Sequence, residues 1–215
     1  MKESPIQRLG VVKSMRVSVE ESLSAAIVLG EISAGQVLTV PTLAEQFGVS
    51  ATPVREAMLE MAKRGFVDPL RNKGYRVTAV NTETLRSLLQ VRRWLEAPAM
   101  QQLAASFPDE RRHELRRNAD ATVHAAHAPQ LSEFLAADMS FHLALLEALG
   151  NLQLVQVVRE LRRHTRLAGP LCRMRPEELE RSAREHHLLL DLLESGEGEA
   201  AAELTRRHIG YISGV

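Results

Sequence analysis

Apolar residues at Val40, Leu43, Ala44 and Phe47 fall on one helix face at i, i+3, i+4 and i+7, and Gly48 follows as a C-cap able to take positive φ. A second stripe, Val54, Ala57, Met58 and Met61, begins just after Ser50 and Thr52, either of which can cap free backbone N–H groups. Pro53 sits in the first turn of that stripe, where its missing donor costs little. The spacing predicts two short helices joined by a tight glycine turn, the outline of a helix-turn-helix. Downstream, residues 65–69 and 71–77 are short β-prone runs around a turn and predict a hairpin with a basic tip.

The pattern changes near Asn81. All four lysines lie before it, while the remainder relies on Arg, Leu, Ala and Glu with almost no strand-forming runs. Six helices are predicted there, over 82–106, 109–127, 131–149, 152–167, 176–194 and 198–212. Asn81, Asp109 and Asn151 serve as caps or turn residues; Pro108, Pro129, Pro170 and Gly196 punctuate, and Pro98 should kink the first helix. The fold class expected is mainly α: an N-terminal winged helix-turn-helix with a small β-hairpin wing, followed by an all-α six-helix bundle. The domains expected are an N-terminal tail at 1–18, a winged helix-turn-helix domain at 19–80 and a helical domain at 81–215.

Composition narrows the class. With 215 residues, 45% hydrophobic and 25% charged, the chain can bury one large or two small cores. Its 27 basic and 27 acidic residues cancel, which excludes a polycationic nucleic-acid coat and leaves recognition to a local patch. Such a patch lies between Ser50 and Val80, where Arg55, Lys63, Arg64, Arg71, Lys73 and Arg76 outnumber Glu56, Glu60 and Asp68. The single Cys172 makes no intrachain disulfide, and neither a signal peptide nor an apolar run near membrane-spanning length is present, so a cytoplasmic protein is expected.

The ordered motifs resemble the winged-helix domain of GntR-type bacterial transcription regulators: Ile27 to Gly30, then Leu43-Ala44-Glu45-Gln46-Phe47-Gly48-Val49-Ser50, then Pro53-Val54-Arg55-Glu56-Ala57, then Lys73-Gly74. The resemblance implies that Ser50, Thr52, Arg55, Lys73 and Gly74 meet double-stranded operator DNA, with the second helix in the major groove. Relatives usually carry Arg directly after the Ser; here Ala51 stands there, so operator preference does not transfer from them.

In the bundle, Asp138 and His142 stand four apart, which puts carboxylate and imidazole on one helix face about 6 Å apart at Cβ. His186 and His208 lie on later helices, and three imidazoles with one carboxylate suit Zn, Ni or Mn. His is scattered widely, so spacing alone does not select this set. From about Asn81 onward, however, the chain is similar to the helical effector-binding (FCD) domain of the FadR subfamily, in its metal-carrying branch. The Asp-x-x-x-His, Glu-His and later His of that branch match Asp138, His142, His186 and His208. The resemblance implies a small carboxylate effector beside a divalent metal, steadied by Arg92, with Asn151 a further candidate donor. The alternative for Arg92 is a helix-surface charge paired with Glu96, and for Asn151 a helix turn.

Other conspicuous residues read as structural. Arg162, Arg163 and Arg166 fit a solvated face or a salt-bridged bundle edge, Trp94 and Phe141 fit packing, and Leu188 to Leu193 fit a wide helix core. The function expected is a transcription regulator, by default a repressor, acting as a homodimer on an inverted repeat, with operator affinity set by the acid. Two other classes compete: a metal-responsive regulator with a structural metal, and a metal-dependent enzyme acting on a carboxylate. The enzyme needs a general base and a substrate cleft, neither of which the sequence shows as a motif; Glu185, which points about 100° away from His186 on an ideal helix, is a poor candidate for the base.

Overall fold

The computed structural model describes residues 14–63, 65–78, 82–128, 131–167 and 174–211. Expectations resting on residues 1–13, Arg64, Val80, Asn81, Pro129, Pro170, Cys172 and Ile212 lie outside the described residues. The chain divides into two compact units, one of residues 1–27 and 32–78, the other of 28–31 and 79–215.

In the first unit, α1 (Met15–Val28) is followed by β1 (Val37–Leu38), α2 (Val40–Phe47), α3 (Ala51–Lys63), β2 (Val67–Leu70) and β3 (Gly74–Val77). Thr39 caps α2: its Oγ1 accepts from the Thr42 amide at 3.3 Å, satisfying one of the free donors at a helix start. Gly48 ends α2 at φ 64°, the left-handed conformation the sequence calls for. Val54, Ala57, Met58 and Met61 are all fully buried, so the apolar stripe of α3 is the face that packs.

The strands form an antiparallel sheet in the order β1-β3-β2. The predicted hairpin is therefore joined by a third strand, β1, whose two residues are too few to show the alternation that marks a strand in sequence. That pairing explains Gly74, which has φ 104° and lies where a Cβ would sit 2.2 Å from the Leu38 carbonyl oxygen. Gly74→Ala is expected to destabilise this unit by at least ~1–3 kcal/mol, the scale of one strained backbone site. An unchanged denaturant midpoint for the first unit would exclude this packing of β1 on β3.

The second unit contains α4 (Thr82–Ala105), α5 (Arg112–Ala126) preceded by a 3₁₀ turn (Asp109–Arg111), α6 (Leu131–Glu147), α7 (Leu152–Leu167), α8 (Pro176–Glu194) and α9 (Gly198–Tyr211). α4 runs on through Pro98, which is exposed. The main core gathers Leu103 of α4, Leu115 and Ala119 of α5, Phe141 and Leu145 of α6, Val158 of α7, Leu190 and Leu193 of α8 and Leu204 of α9. From Phe141 to Leu146 every residue of α6 is buried. This stretch of α6 is thus enclosed by its neighbours, and a buried polar side chain on the helix must find partners inside the bundle. No described helix is long and apolar enough to cross a membrane.

Candidate metal centre and nucleic-acid interface

Asp138 and His142 project from the enclosed helix α6, His186 from α8 and His208 from α9, and all four are buried. One ligand atom from each lies within 4.8 Å of every other. His142 Nε2 is 3.2 Å from His208 Nε2, which is 3.4 Å from His186 Nε2. Asp138 Oδ1 lies 3.4 Å from His142 Nε2 and 3.5 Å from His186 Nε2. His186 also stacks on Phe141 at 4.2 Å between centroids, which fixes the plane of its ring.

The remaining ring nitrogens are tied to specific partners. Thr122 on α5 donates its hydroxyl proton to the Ala119 carbonyl at 2.7 Å, so at 2.8 Å from His186 Nδ1 it acts as an acceptor. That leaves the proton of a neutral His186 on Nδ1 and a lone pair on Nε2. Glu185 Oε2 lies 2.8 Å from His208 Nδ1 and, as a carboxylate, only accepts, giving His208 the same tautomer. With both rings neutral, two imidazole lone pairs face each other at 3.4 Å, an arrangement that repels unless a cation lies between them.

Glu185 is a correction in part to the sequence reading. Its backbone position is turned away from His186, but its side chain reaches the next helix and orients His208. Burial pushes His142 well below the usual imidazole range, with the Arg162 guanidinium adding to it. Burial does the same for His186, with His208 adding to it. Burial opposes the charge on Asp138, but its contact with His142 and the charges of Arg166 and Arg162 outweigh it and hold the carboxyl well below its ordinary value. Asp138 is thus a carboxylate and His142 and His186 are neutral imidazoles at neutral pH, the protonation states that metal ligands require.

Beside this quartet lies an ionic network that the sequence reading missed. Arg166 Nη2 donates to Asp138 Oδ2 at 2.6 Å, and Arg162 Nη1 is 3.5 Å from the same oxygen. Arg162 also donates to Glu96, which accepts from Arg92 Nε at 2.7 Å. Arg92, Arg162 and Arg166 are buried, so the solvated-face reading of Arg162 and Arg166 is corrected, as is the surface position in the alternative for Arg92, whose pairing with Glu96 is present. A signal for the two on α7 exists: Val155, Val158, Arg162, Thr165 and Arg166 continue one buried helical stripe, in which the arginines and the threonine simply take apolar positions. Burial alone would raise Glu96, yet Arg162 and Arg92 bring it down to about 2.

Two other expectations change. Asn151 is exposed, and its side-chain oxygen accepts from the Leu154 amide at 3.1 Å, so it caps α7 and stands apart from the quartet. Trp94 is 64% exposed and is not a packing residue, because Arg92 and Glu96 occupy the inward positions of this part of α4.

In the first unit, Ser50 immediately precedes α3, and Ser50, Thr52 and Arg55 are all exposed at its N-terminal end. Lys73 is exposed at the wing turn, where Asn72 takes φ 57°. Arg55, Lys73 and Gly74 line one groove together with Thr39, Val40 and Pro41 at the start of α2. The groove therefore combines two cations with a helix N-terminus, both of which favour phosphate.

Comparison with known proteins parallels this division. Residues 16–77 match the family described as bacterial regulatory proteins, gntR family, and residues 87–211 match the FCD domain. The chain is similar to the "Probable D-xylose utilization operon transcriptional repressor" of Paenarthrobacter nicotinovorans, 27% identical over 89% of this chain and 84% of that one. It is 28% identical to the Nta operon transcriptional regulator of Aminobacter aminovorans, over 81% of each. It is 24% identical to McbR of Escherichia coli over 93% of each. The solved structure of E. coli McbR/YncC superposes with a TM-score of 0.79, covering 93% of this chain and 95% of that one, and shares the fold.

Proposed function

Since this chain belongs to the gntR family of bacterial regulatory proteins with an FCD domain, a family of DNA-binding transcription regulators, we propose that it is a repressor released from its operator by a small organic acid held beside a divalent metal. The observation that carries the proposal is the pair of facing imidazole lone pairs, fixed by Thr122 and Glu185, inside a buried quartet with Asp138.

The donor set fits a metal. Bonds of about 2.0–2.2 Å to nitrogen and oxygen place adjacent ligand atoms roughly 3.0–3.5 Å apart, and the distances of 3.2, 3.4, 3.4 and 3.5 Å match this spacing. Asp138, His142, His186 and His208 would hold Zn, Ni or Mn, and the metal would supply Lewis-acid positions for a carboxylate. Thr122 and Glu185 keep their histidines in the ligating tautomer, while Arg166 and Arg162 hold the second oxygen of Asp138 so that the first faces the cluster.

On this reading Thr122→Val and Glu185→Gln each weaken metal binding about 10–100-fold, and Thr122→Ser largely restores it. Competition with a chelating dye measures this. Wild-type affinity in both Thr122→Val and Glu185→Gln would remove the tautomer argument.

For the DNA, Arg55 and Thr52 of α3 would face base edges and Lys73 with Gly74 the backbone, once per half-site of an inverted repeat bound by a homodimer. Coupling follows if the acid binds the DNA-incompetent arrangement more tightly; the same free energy then weakens operator binding. The test is anisotropy of a labelled operator, selected from random duplexes with this protein, titrated with metal-loaded protein in the presence of carboxylic acids. Release by at least one acid is the expected result. Operator affinity that responds to the metal alone, with no acid effect, would replace this function with metal sensing.

A further inference from the structure

The exposed end of α3 carries one uncommitted cation and, one turn ahead of it, a side chain with no polar atom. Ala51 and Arg55 stand four residues apart and Thr52 three from Arg55, so the three share one face, and all are exposed. Arg55 lines the groove that also holds Lys73 and Gly74, whereas the adjacent Glu56 lines a separate groove with Arg16, Leu59, Glu60 and Lys63. The cations of that second groove are engaged, Lys63 with Glu60 at 3.4 Å and Arg16 with Glu20 at 3.4 Å. Arg55 makes no ion pair among the described residues, so it is the cation of α3 left available to a base edge.

Ala51 ends at a single methyl group and offers a base neither donor nor acceptor. Base pairs present one apolar group in the major groove, the 5-methyl of thymine, and alanine is among the side chains that meet it. Four residues of helix advance ~6 Å and base pairs repeat every ~3.4 Å, so Ala51 meets a base pair within about three of the one that Arg55 reads.

We infer that Ala51 is a specificity-determining residue whose methyl group selects thymine in each half-site, close to a guanine selected by Arg55. This rests on the reading of α3 as the recognition helix and adds which base its first residue reads. Cytosine is disfavoured at that position because it presents a donor and no methyl. Burying one methyl-sized group corresponds to a preference of about fourfold per half-site, or about 10–20-fold over two half-sites.

The test replaces thymine by uracil, a change that removes the methyl and keeps every hydrogen-bonding group of the base. The full chain, metal-loaded and without acid, is titrated by anisotropy against its selected operator, with each half-site thymine replaced in turn in both half-sites. At one position the wild type should bind the uracil operator about 10–20-fold more weakly than the thymine operator, and Ala51→Gly should bind the two within about twofold. The ratio is taken within each protein, so a general loss of affinity or stability in Ala51→Gly cancels. Ala51→Arg, carried through the same selection, should recover guanine at that base pair. The role of Ala51 is overturned by the absence of a uracil penalty in the wild type, by a penalty that Ala51→Gly retains, or by thymine recovered again with Ala51→Arg. A penalty that persists in Ala51→Gly and disappears in Thr52→Ser assigns the methyl contact to Thr52 instead. Each of these results leaves the recognition helix standing where Arg55→Ala abolishes operator binding. Full operator affinity in Arg55→Ala, or a selection that enriches no sequence, removes that reading and this inference together.

Discussion

Arg55→Ala is expected to abolish specific operator binding without altering the fold. Arg55 is exposed at the N-terminal end of α3, on the side opposite the buried Val54, Ala57, Met58 and Met61, so its removal leaves no cavity. A good arginine contact to a base edge contributes ~1–3 kcal/mol of discrimination, and a dimer on an inverted repeat makes it twice, for a combined ~2–6 kcal/mol. Affinity should therefore fall from about 30-fold to more than 10⁴-fold, measured by anisotropy on the selected operator, with far-ultraviolet dichroism unchanged. Residual binding to random duplex should persist through Lys73 and the other cations of the wing. Full operator affinity in the variant would remove α3 as the recognition element.

Arg162→Met should be the most destabilising single change in the helical unit. Arg162 bridges Glu96 and Asp138, and its loss leaves two buried carboxylates with fewer counter-charges. Breaking a buried ion pair on one side typically costs about 3–5 kcal/mol. The pH dependence carries its own signature. Glu96 is depressed to about 2, below its ordinary value of 4.5, so its contribution is fully present above pH 4.5 and is lost as pH falls through about 2. Urea unfolding at pH 7 and pH 3 should show the wild type losing stability on acidification and Arg162→Met losing less of it. Stability within about 1 kcal/mol of wild type at pH 7 would exclude a structural role for this network.

Much of the architecture was legible because both periods are strongly written. The stripe of α3 and the six helices of the second unit follow from 3.6-residue spacing with Gly and Pro punctuation, whereas β1 has two residues and is paired only through tertiary contact. The quartet was reached through resemblance, since eight histidines offer many sets of three by spacing alone. The network around it stayed hidden for a different reason. On α4 the stripe Leu85, Leu89, Arg92, Glu96 and Leu103, and on α5 the stripe Leu115, Ala119 and Thr122, carry polar residues at buried positions. Side-chain type alone assigns such residues to solvent, and only their register with apolar neighbours argues otherwise. The partners across helices, Glu96 with Arg162, His186 with Thr122 and His208 with Glu185, depend on how the helices pack, which periodicity does not encode.

The central claim, that the buried Asp138, His142, His186 and His208 hold a metal that receives an acid, is tested most directly by thermal melting of chelator-stripped protein reloaded with Zn, Ni or Mn, with and without each of a panel of small carboxylic acids. At 100 times its dissociation constant a ligand stabilises the native state by ~2.7 kcal/mol. At least one acid should raise the melting temperature of the reloaded wild type, and should do nothing to stripped protein or to His142→Ala treated with the same metal. An equal shift in stripped protein and in His142→Ala would place the acid elsewhere and contradict the account.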